Sequence, residues 1–297
     1  MNATYAAPIA SVASTSGMLA SAPPVCFKTY DNNSSKPLRI VDLAMLSAIG
    51  RTIGEAADLT FAQWFYQYGS YVREFPAHAG STRELLGTGT SVPFTVYRNV
   101  NTNFRVVVLQ QQLYGSQMLQ AVDFWGEEIA LQVAGVIAPW IAAWSITERS
   151  KFIKGARFFK DALNQDFDSL SAASSWITSS SSYAGKNMIV VGDGYNGGYA
   201  KLLGKRLGIA SASFNAPGVS SMFNEDVIAS SSASVSTSVD LAGYFLSLVD
   251  LHGAGEVDER FSLTCGSDSS IQCNSIIRLT ERLIQVCGDL YGRGVNI

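Results

Sequence analysis

The sequence predicts an α/β fold whose sheet has parallel neighbours, and three features predict it. Short apolar runs alternate with helix-like segments through the second half of the chain, the order expected of parallel strands joined by helices. Val106–Leu109 is an unbroken apolar run, as in a strand buried on both faces. Lys186–Gly208, KNMIVVGDGYNGGYAKLLGKRLG, passes from an apolar run through clustered glycines into a helical pattern. That is the layout of strand, sharp turn and helix.

The elements follow in order. The first 25 residues are rich in Ala and Ser, broken by Pro8, and have no basic start, so they read as a flexible arm rather than a signal peptide. Leu38, Val41, Leu43, Ala44, Leu46, Ile49 and Ile53 recur at the spacing of one apolar helix face. Phe94–Val100 and Phe104–Leu109 flank a polar Asn-Thr-Asn turn and predict a β-hairpin. Ile129–Ile146 has the minimum length of a membrane span, but Pro139 and its Ala/Gly content make it a buried helix or a subunit interface. A long helix is expected from about Thr147 to Ala173, on the repeat of Phe152, Ala156, Phe159, Leu163, Phe167 and Leu170. The following SSWITSSSSYAGKN is expected to be a loop. Then come a strand at Met188–Val191, a helix at Gly198–Leu207 and a strand at Ile209–Gly218. ASSSASVSTSV reads as a low-complexity loop, and Gly243–Gly253 as a further strand. The last helix carries Ile276, Ile277, Leu279, Thr280, Leu283, Ile284 and Cys287 on one side.

Composition narrows the function. The chain has 297 residues, is 47% apolar and only 15% charged, and carries 24 acids against 21 bases. A core of that size suits one large α/β domain or two small ones. No linker or repeat divides it, so residues 26–297 are read as a single domain. No Lys/Arg-rich block marks a nucleic-acid footprint. Four cysteines, at 26, 265, 273 and 287, and two histidines, His78 and His252, lack zinc-ligand spacing, so no metal is expected. The cysteines read as reduced core thiols in a cytoplasmic protein. A Cys265–Cys273 or Cys273–Cys287 bridge is left open for an exported one.

Gly192-Asp193-Gly194-Tyr195-Asn196-Gly197 fits the dinucleotide fingerprint literally. Glycines there would admit a pyrophosphate to the helix end. Two features oppose that reading. The next strand ends in Phe214-Asn215-Ala216-Pro217, without the acid that holds the ribose, and Asp193 brings negative charge to the loop.

The stretch VVGDGYNGGYAKLLGKRLGIASASFNAPGV resembles the class 3 lipase family. There a strand runs into a G-H-S-L-G-G nucleophile elbow, a helix follows, and the next strand ends in a segment much like FNAPG. The likeness is specific over Met188–Val219, while the earlier helix, hairpin and long helix fall in the family's order. It implies an α/β-hydrolase-like fold: a mixed, mainly parallel sheet with helices on both faces. Residue by residue it also implies a lost active site. Gly194 stands at the nucleophilic serine, Asp193 at the preceding histidine and Asn196 at the second glycine. Asn274, in CNSIIRLTERL, stands at the histidine that opens the last helix, and Asp250 is the candidate acid near the end of a later strand. Leu109-Gln110-Gln111-Gln112 replaces the oxyanion segment.

Ester hydrolysis by this route needs a hydroxyl activated by an imidazole that a carboxylate orients. Glycine has nothing to acylate and asparagine is no base near neutral pH. Single losses in a related triad cost about a millionfold. Other groups have plainer readings. Tyr195 would need a base to become a nucleophile and reads as packing over the helix start. His252, two residues after Asp250, and His78 read as loop residues, and Asp258 and Glu259 as partners of Arg260 or of solvent. The chain is therefore expected to be a non-catalytic lipase-like protein with a structural or interaction role, in the cytoplasm or within a particle such as a virion. Protein partners or self-association are expected, and no cofactor, no nucleic acid and no membrane. The alternatives are a dinucleotide-binding oxidoreductase using residues 192–197, or a hydrolase with a relocated nucleophile.

Overall fold

A computed structural model describes residues 22–50, 65, 70–74, 94–110, 171–218, 235–242, 259–265, 273 and 275–288. A short 3-10 turn at Pro24–Phe27 leads into β1 (Thr29–Tyr30), which pairs antiparallel with β2 (Leu38–Arg39). Val25, at the end of the segment expected to be an arm, is fully buried. Helix α1 (Ile40–Gly50) follows at once. The Arg39 N–H donates to Asp42 Oδ2 (2.8 Å), so a side chain three residues in satisfies an otherwise unpaired group at the helix start.

Among the described residues seven strands form one sheet, in chain order: β3 (Tyr71–Glu74), β4 (Phe94–Asn99), β5 (Arg105–Leu109), β6 (Met188–Asp193), β7 (Ala210–Phe214), β8 (Ser236–Ala242) and β9 (Glu259–Thr264). β3, β4 and β5 run antiparallel, and every pairing from β5 to β9 is parallel. The sheet is thus mixed and mainly parallel. The expected hairpin is β4–β5, with Val96 opposite Val107. Its turn is built by asparagines: Asn99 Oδ1 accepts the Asn101 N–H (3.0 Å), and Asn103 takes φ 57, a left-handed conformation that Asn tolerates.

Alternation along the strands divides the core. Val106, Val108, Ile189, Val191, Ala212, Phe214, Val239 and Leu241 share a cluster with α1 and with α5 (Ile276–Cys287). Val96, Val107, Leu109, Met188 and Val190 share the opposite one with α2 (Ser171–Ser179) and α4 (Tyr195–Leu207). Helices therefore cover both faces, and β6 is buried along its whole length. α2 and α4 lie in connections between consecutive parallel strands. Such crossovers turn in one hand, so strands added in one direction keep their helices on one face. The other face is left to α1, before the sheet, and α5, after it.

That placement explains a departure from the expected single apolar face of the first helix. Ile40 to Ile49 are all buried, Asp42 and Ser47 included. The helix lies between sheet and α5, so it has no solvent side. α5 is amphipathic: Ile276, Leu279, Thr280, Leu283 and Cys287 are buried, whereas Ile277, expected on the same side, is 36% exposed. Each fully buried Leu or Ile of that stripe contributes roughly 2 kcal/mol.

Three further expectations are corrected. Residues 174–184, most of the supposed Ser-rich loop, fall in α2, which continues the expected helix past Ala173, and in a short α3 (Ser181–Ala184). Thr178 Oγ1 and Ser179 Oγ donate back to helix carbonyls, and Ser180 caps α3, so these hydroxyls find partners within helices. The supposed low-complexity loop contributes β8, because Ser, Thr and Val in alternation make a thin strand that can be buried on both sides. The cysteines are not reduced: Cys26 bonds Cys287 and Cys265 bonds Cys273, and no free cysteine remains. The Cys273–Cys287 pairing does not occur. With a sequence separation of 261, the Cys26–Cys287 bond removes loop entropy of about 5.6 kcal/mol from the unfolded chain on the chain-entropy account. The apolar stretch at 129–146, expected to be a buried helix or a subunit interface, most of the expected long helix, and the strand expected at 243–253 lie outside the described residues. Among the described residues no helix is long and apolar enough to cross a membrane.

Polar ties fix the edges. Asp31, at φ 56, accepts on Oδ2 from Tyr71 Oη (2.7 Å), Asn99 Nδ2 (2.7 Å) and Thr102 Oγ1 (2.9 Å), which locks β1 to the hairpin. The hydroxyls of Tyr30 and Thr237 meet at 3.3 Å, joining β1 to β8. Burial pushes the Tyr30 phenol up to about 12, with the hydrogen bond to Thr237 opposing and the Glu259 charge adding. Burial raises Tyr71 too, and its bond to Asp31 adds to that. A phenol raised in the folded state holds its proton where the unfolded chain has lost its own. Its contribution is complete below pH 10 and is lost as pH climbs toward 12. Urea titrations across that window should show Tyr30→Phe losing less stability than the parent, by about 1.4 kcal/mol for each pH step. Parallel curves for the two proteins would contradict the assignment.

Candidate functional site

The glycine turn joins β6 to α4. The Gly194 N–H donates to Phe214 O (2.9 Å), extending the β6–β7 ladder by one residue before the chain bends. Gly194 is the bend, at φ 53 and ψ −131, and Gly197 and Gly198 donate back to its carbonyl. That combination lies outside the regions L-residues favour. The helix begins immediately at Tyr195.

The flanking glycines answer to packing. A Cβ on Gly192 would lie 2.2 Å from Asn196 O, inside the turn. One on Gly197 would lie 2.6 Å from Ala216 Cβ, and one on Gly204 2.7 Å from Ser211 Cβ. α4 therefore rests close on β7, where Ser211 and Ser213 present short side chains. Steric contact with the protein itself thus accounts for the fingerprint spacing. Asp193 does not enter the loop. As the last residue of β6 it faces α1, where Ser47 Oγ donates to its Oδ1 (3.3 Å), and it is 1% exposed. Tyr195 is half-buried against the α1-side cluster, and burial raises its phenol, the direction opposite to what a nucleophile needs. Asn196 is buried at the first turn of α4.

The C-terminal end of β7 is tied down beside this turn. Asn215, at φ 46, accepts the Leu241 N–H on Oδ1 (2.8 Å) and donates from Nδ2 to Cys273 O (2.9 Å). Lys201, completely buried on α4, donates from Nζ to Pro217 O (2.9 Å). The segment FNAPG is thereby clamped by one amide and one ammonium.

A buried acid stands level with the turn, two strands away. Register sets Asp193 opposite Phe214 and Phe214 opposite Val239, so Asp240 is one step beyond the line on which Gly194 follows Asp193. Two strand spacings separate them, about 10 Å. Asp240 is 1% exposed, and Arg260 Nε of β9 donates to its Oδ2 (2.9 Å), while Ser238 Oγ lies 3.4 Å from both oxygens. Sequence reasoning passed over Asp240 because its strand was taken for a loop; the alternating Ser-Thr-Ser-Val before it was the available signal. Glu259 pairs not with Arg260 but with Lys28 (2.8 Å).

The structure thus brings Gly192, Asp193, Gly194, Tyr195, Asn196 and Gly197 together at one strand-to-helix turn. Asp250 and Asn274, His78 and His252, and Asp258 lie outside the described residues. Among the described residues no group of three or more His, Cys, Asp or Glu side chains could hold a metal ion. No protein-family model matches the chain, and no curated protein matches it.

Substitution separates the roles of the glycines. Gly192→Ala and Gly197→Ala should each lower unfolding free energy by about 3 kcal/mol, because the clashing atoms are backbone or core. Gly185→Ala meets nothing within 4 Å and should stay within about 0.5 kcal/mol of the parent. Chemical denaturation measures all three. Equal tolerance at the three sites would mean that α4 does not approach β7 as described.

Proposed function

We propose that the chain is a non-catalytic, lipase-like α/β-hydrolase domain that serves as a structural or interaction protein. The observation that carries this reading is Gly194, a residue without a side chain at the strained bend between a central strand and its helix. In a hydrolase elbow that conformation presents a nucleophile. Glycine accepts it at no steric cost, so a site no longer used for acyl transfer keeps the turn and relieves the strain.

Asp240 supports the same reading. It follows the bend in chain order and lies at the same end of the sheet, where such a scaffold keeps the acid that orients an imidazole. Here its charge is engaged by Arg260. Asn274, in place of the family's histidine, removes the base. The hydroxyl and the proton acceptor of the family's triad thus have no counterpart at Gly194 and Asn274, while the strand-to-helix turn is packed closely on β7. A scaffold kept without its chemistry serves through its surfaces, and a surface component of a large particle such as a virion is the concrete form proposed.

Fluorophosphonate labelling and a short-chain ester assay test the chemistry. The parent should show neither labelling nor turnover, and Gly194→Ser should remain unlabelled, because a hydroxyl without a base is a poor nucleophile. Labelling of Gly194→Ser would reveal a working base at the bend and contradict the proposal. Sedimentation of the purified protein tests the role: an assembly larger than one chain, or a co-purifying protein, is expected, and a strict monomer without a partner would count against it.

A further inference from the structure

The two disulfides hold opposite ends of one helix. On the N-terminal side of α5, Cys273 is bonded to Cys265, which directly follows β9, and its carbonyl accepts from Asn215 Nδ2 (2.9 Å). Arg282 Nε, midway along α5, donates to Thr264 O at the end of β9 (3.2 Å). At the C-terminal end, Cys287 is bonded to Cys26 in the 3-10 turn that precedes β1. The N-terminal side of α5 is thus moored to the sheet, and its C-terminal end is fastened to the turn that precedes β1.

We infer that Cys26–Cys287 is a redox-sensitive latch: opening it frees the C-terminal half of α5 to swing about its moored end and uncovers the apolar side of α1. Three features carry the inference. α5 meets α1 through a single stripe, Ile276, Leu279, Leu283 and Cys287, while its other side faces solvent. α1 is buried on every side and apolar apart from Asp42 and Ser47, so the surface beneath α5 is one that water disfavours. The cystine lies one residue below the surface, since its neighbours Phe27 and Val286 are 54% and 37% exposed. Fraying of the last turn of α5 therefore brings the bond to solvent. The reductant is a dithiol. Its thiolate attacks one sulfur and forms a mixed disulfide, its second thiol displaces that link, and two protein thiols and a cyclic disulfide result. The sheet ladders and the α2–α4 face do not involve either cysteine and stay closed.

Hydrogen exchange on the full chain tests this in two ways. Dithiothreitol treatment, and separately the paired variant Cys26→Ser with Cys287→Ser left unreduced, should raise exchange at least about tenfold in peptides covering residues 40–50 and 276–288. Peptides covering β5, β6 and β7 should be unchanged, and binding of an apolar dye should rise in parallel. The pair Cys265→Ser with Cys273→Ser should not produce this pattern without reductant. The inference is overturned if exchange is unchanged on reduction, if the sheet opens in the same step, or if the Cys265–Cys273 variant gives the same local opening.

Discussion

The architecture depends on a constraint of handedness. Parallel strands added one after another in the same direction place their connecting helices on one face of the sheet. From β5 to β9 the order is strictly sequential, and α2 and α4 accordingly lie together. A sheet whose central strands are apolar on both faces needs a second cover. That cover comes from α1 and α5, which precede and follow the sheet in the chain. They have no strand-to-strand connection to hold them, and a cystine 261 residues long in loop closes the pair. The complete burial of α1, the single stripe of α5 and the position of Cys26 all follow from that requirement.

The same constraint shapes the candidate site. With strands in order, the C-terminal ends of β6, β7 and β8 come side by side, and each has at or near its end a residue of unusual setting. Gly194 bends outside the favoured backbone regions, Asn215 turns left-handed and satisfies groups on two neighbouring segments, and Asp240 is buried against an arginine. α4 is drawn onto this end by Gly197 and onto the start of β7 by Gly204, so close that a methyl group at either would overlap β7 or the segment after it. The proposed loss of catalysis therefore sits within a turn whose packing is demanding.

What was legible in the sequence is what local chemistry determines. The β4–β5 hairpin announced itself by apolar runs about an asparagine turn, β6 and α4 by their meeting at the glycines, and α5 by its period. The elements missed are those built from serine. The hydropathy of Ser174–Ala184 and Ser236–Ala242 is too low to mark burial, and the alternation in the second is its one local sign; both depend on their partners, through helix carbonyls for one and through Ser211 and Arg260 for the other. Of the cysteine pairings, Cys265–Cys273 was among those the sequence left open, whereas Cys26–Cys287 was beyond it, since these two meet only once the sheet has brought α5 and the turn before β1 together. For the site, the six residues of the turn were legible together because they are contiguous. Asp240 was not, because its importance comes from register across two strands.

The pairing of the cysteines tests this account most directly. Proteolysis without reduction, followed by peptide mass analysis, should yield one cross-linked species containing Cys26 with Cys287 and another containing Cys265 with Cys273. Cross-linked peptides joining Cys273 to Cys287, or Cys26 to Cys265, would show that the end of α5 does not meet the turn before β1, and the described cover of the sheet would be wrong.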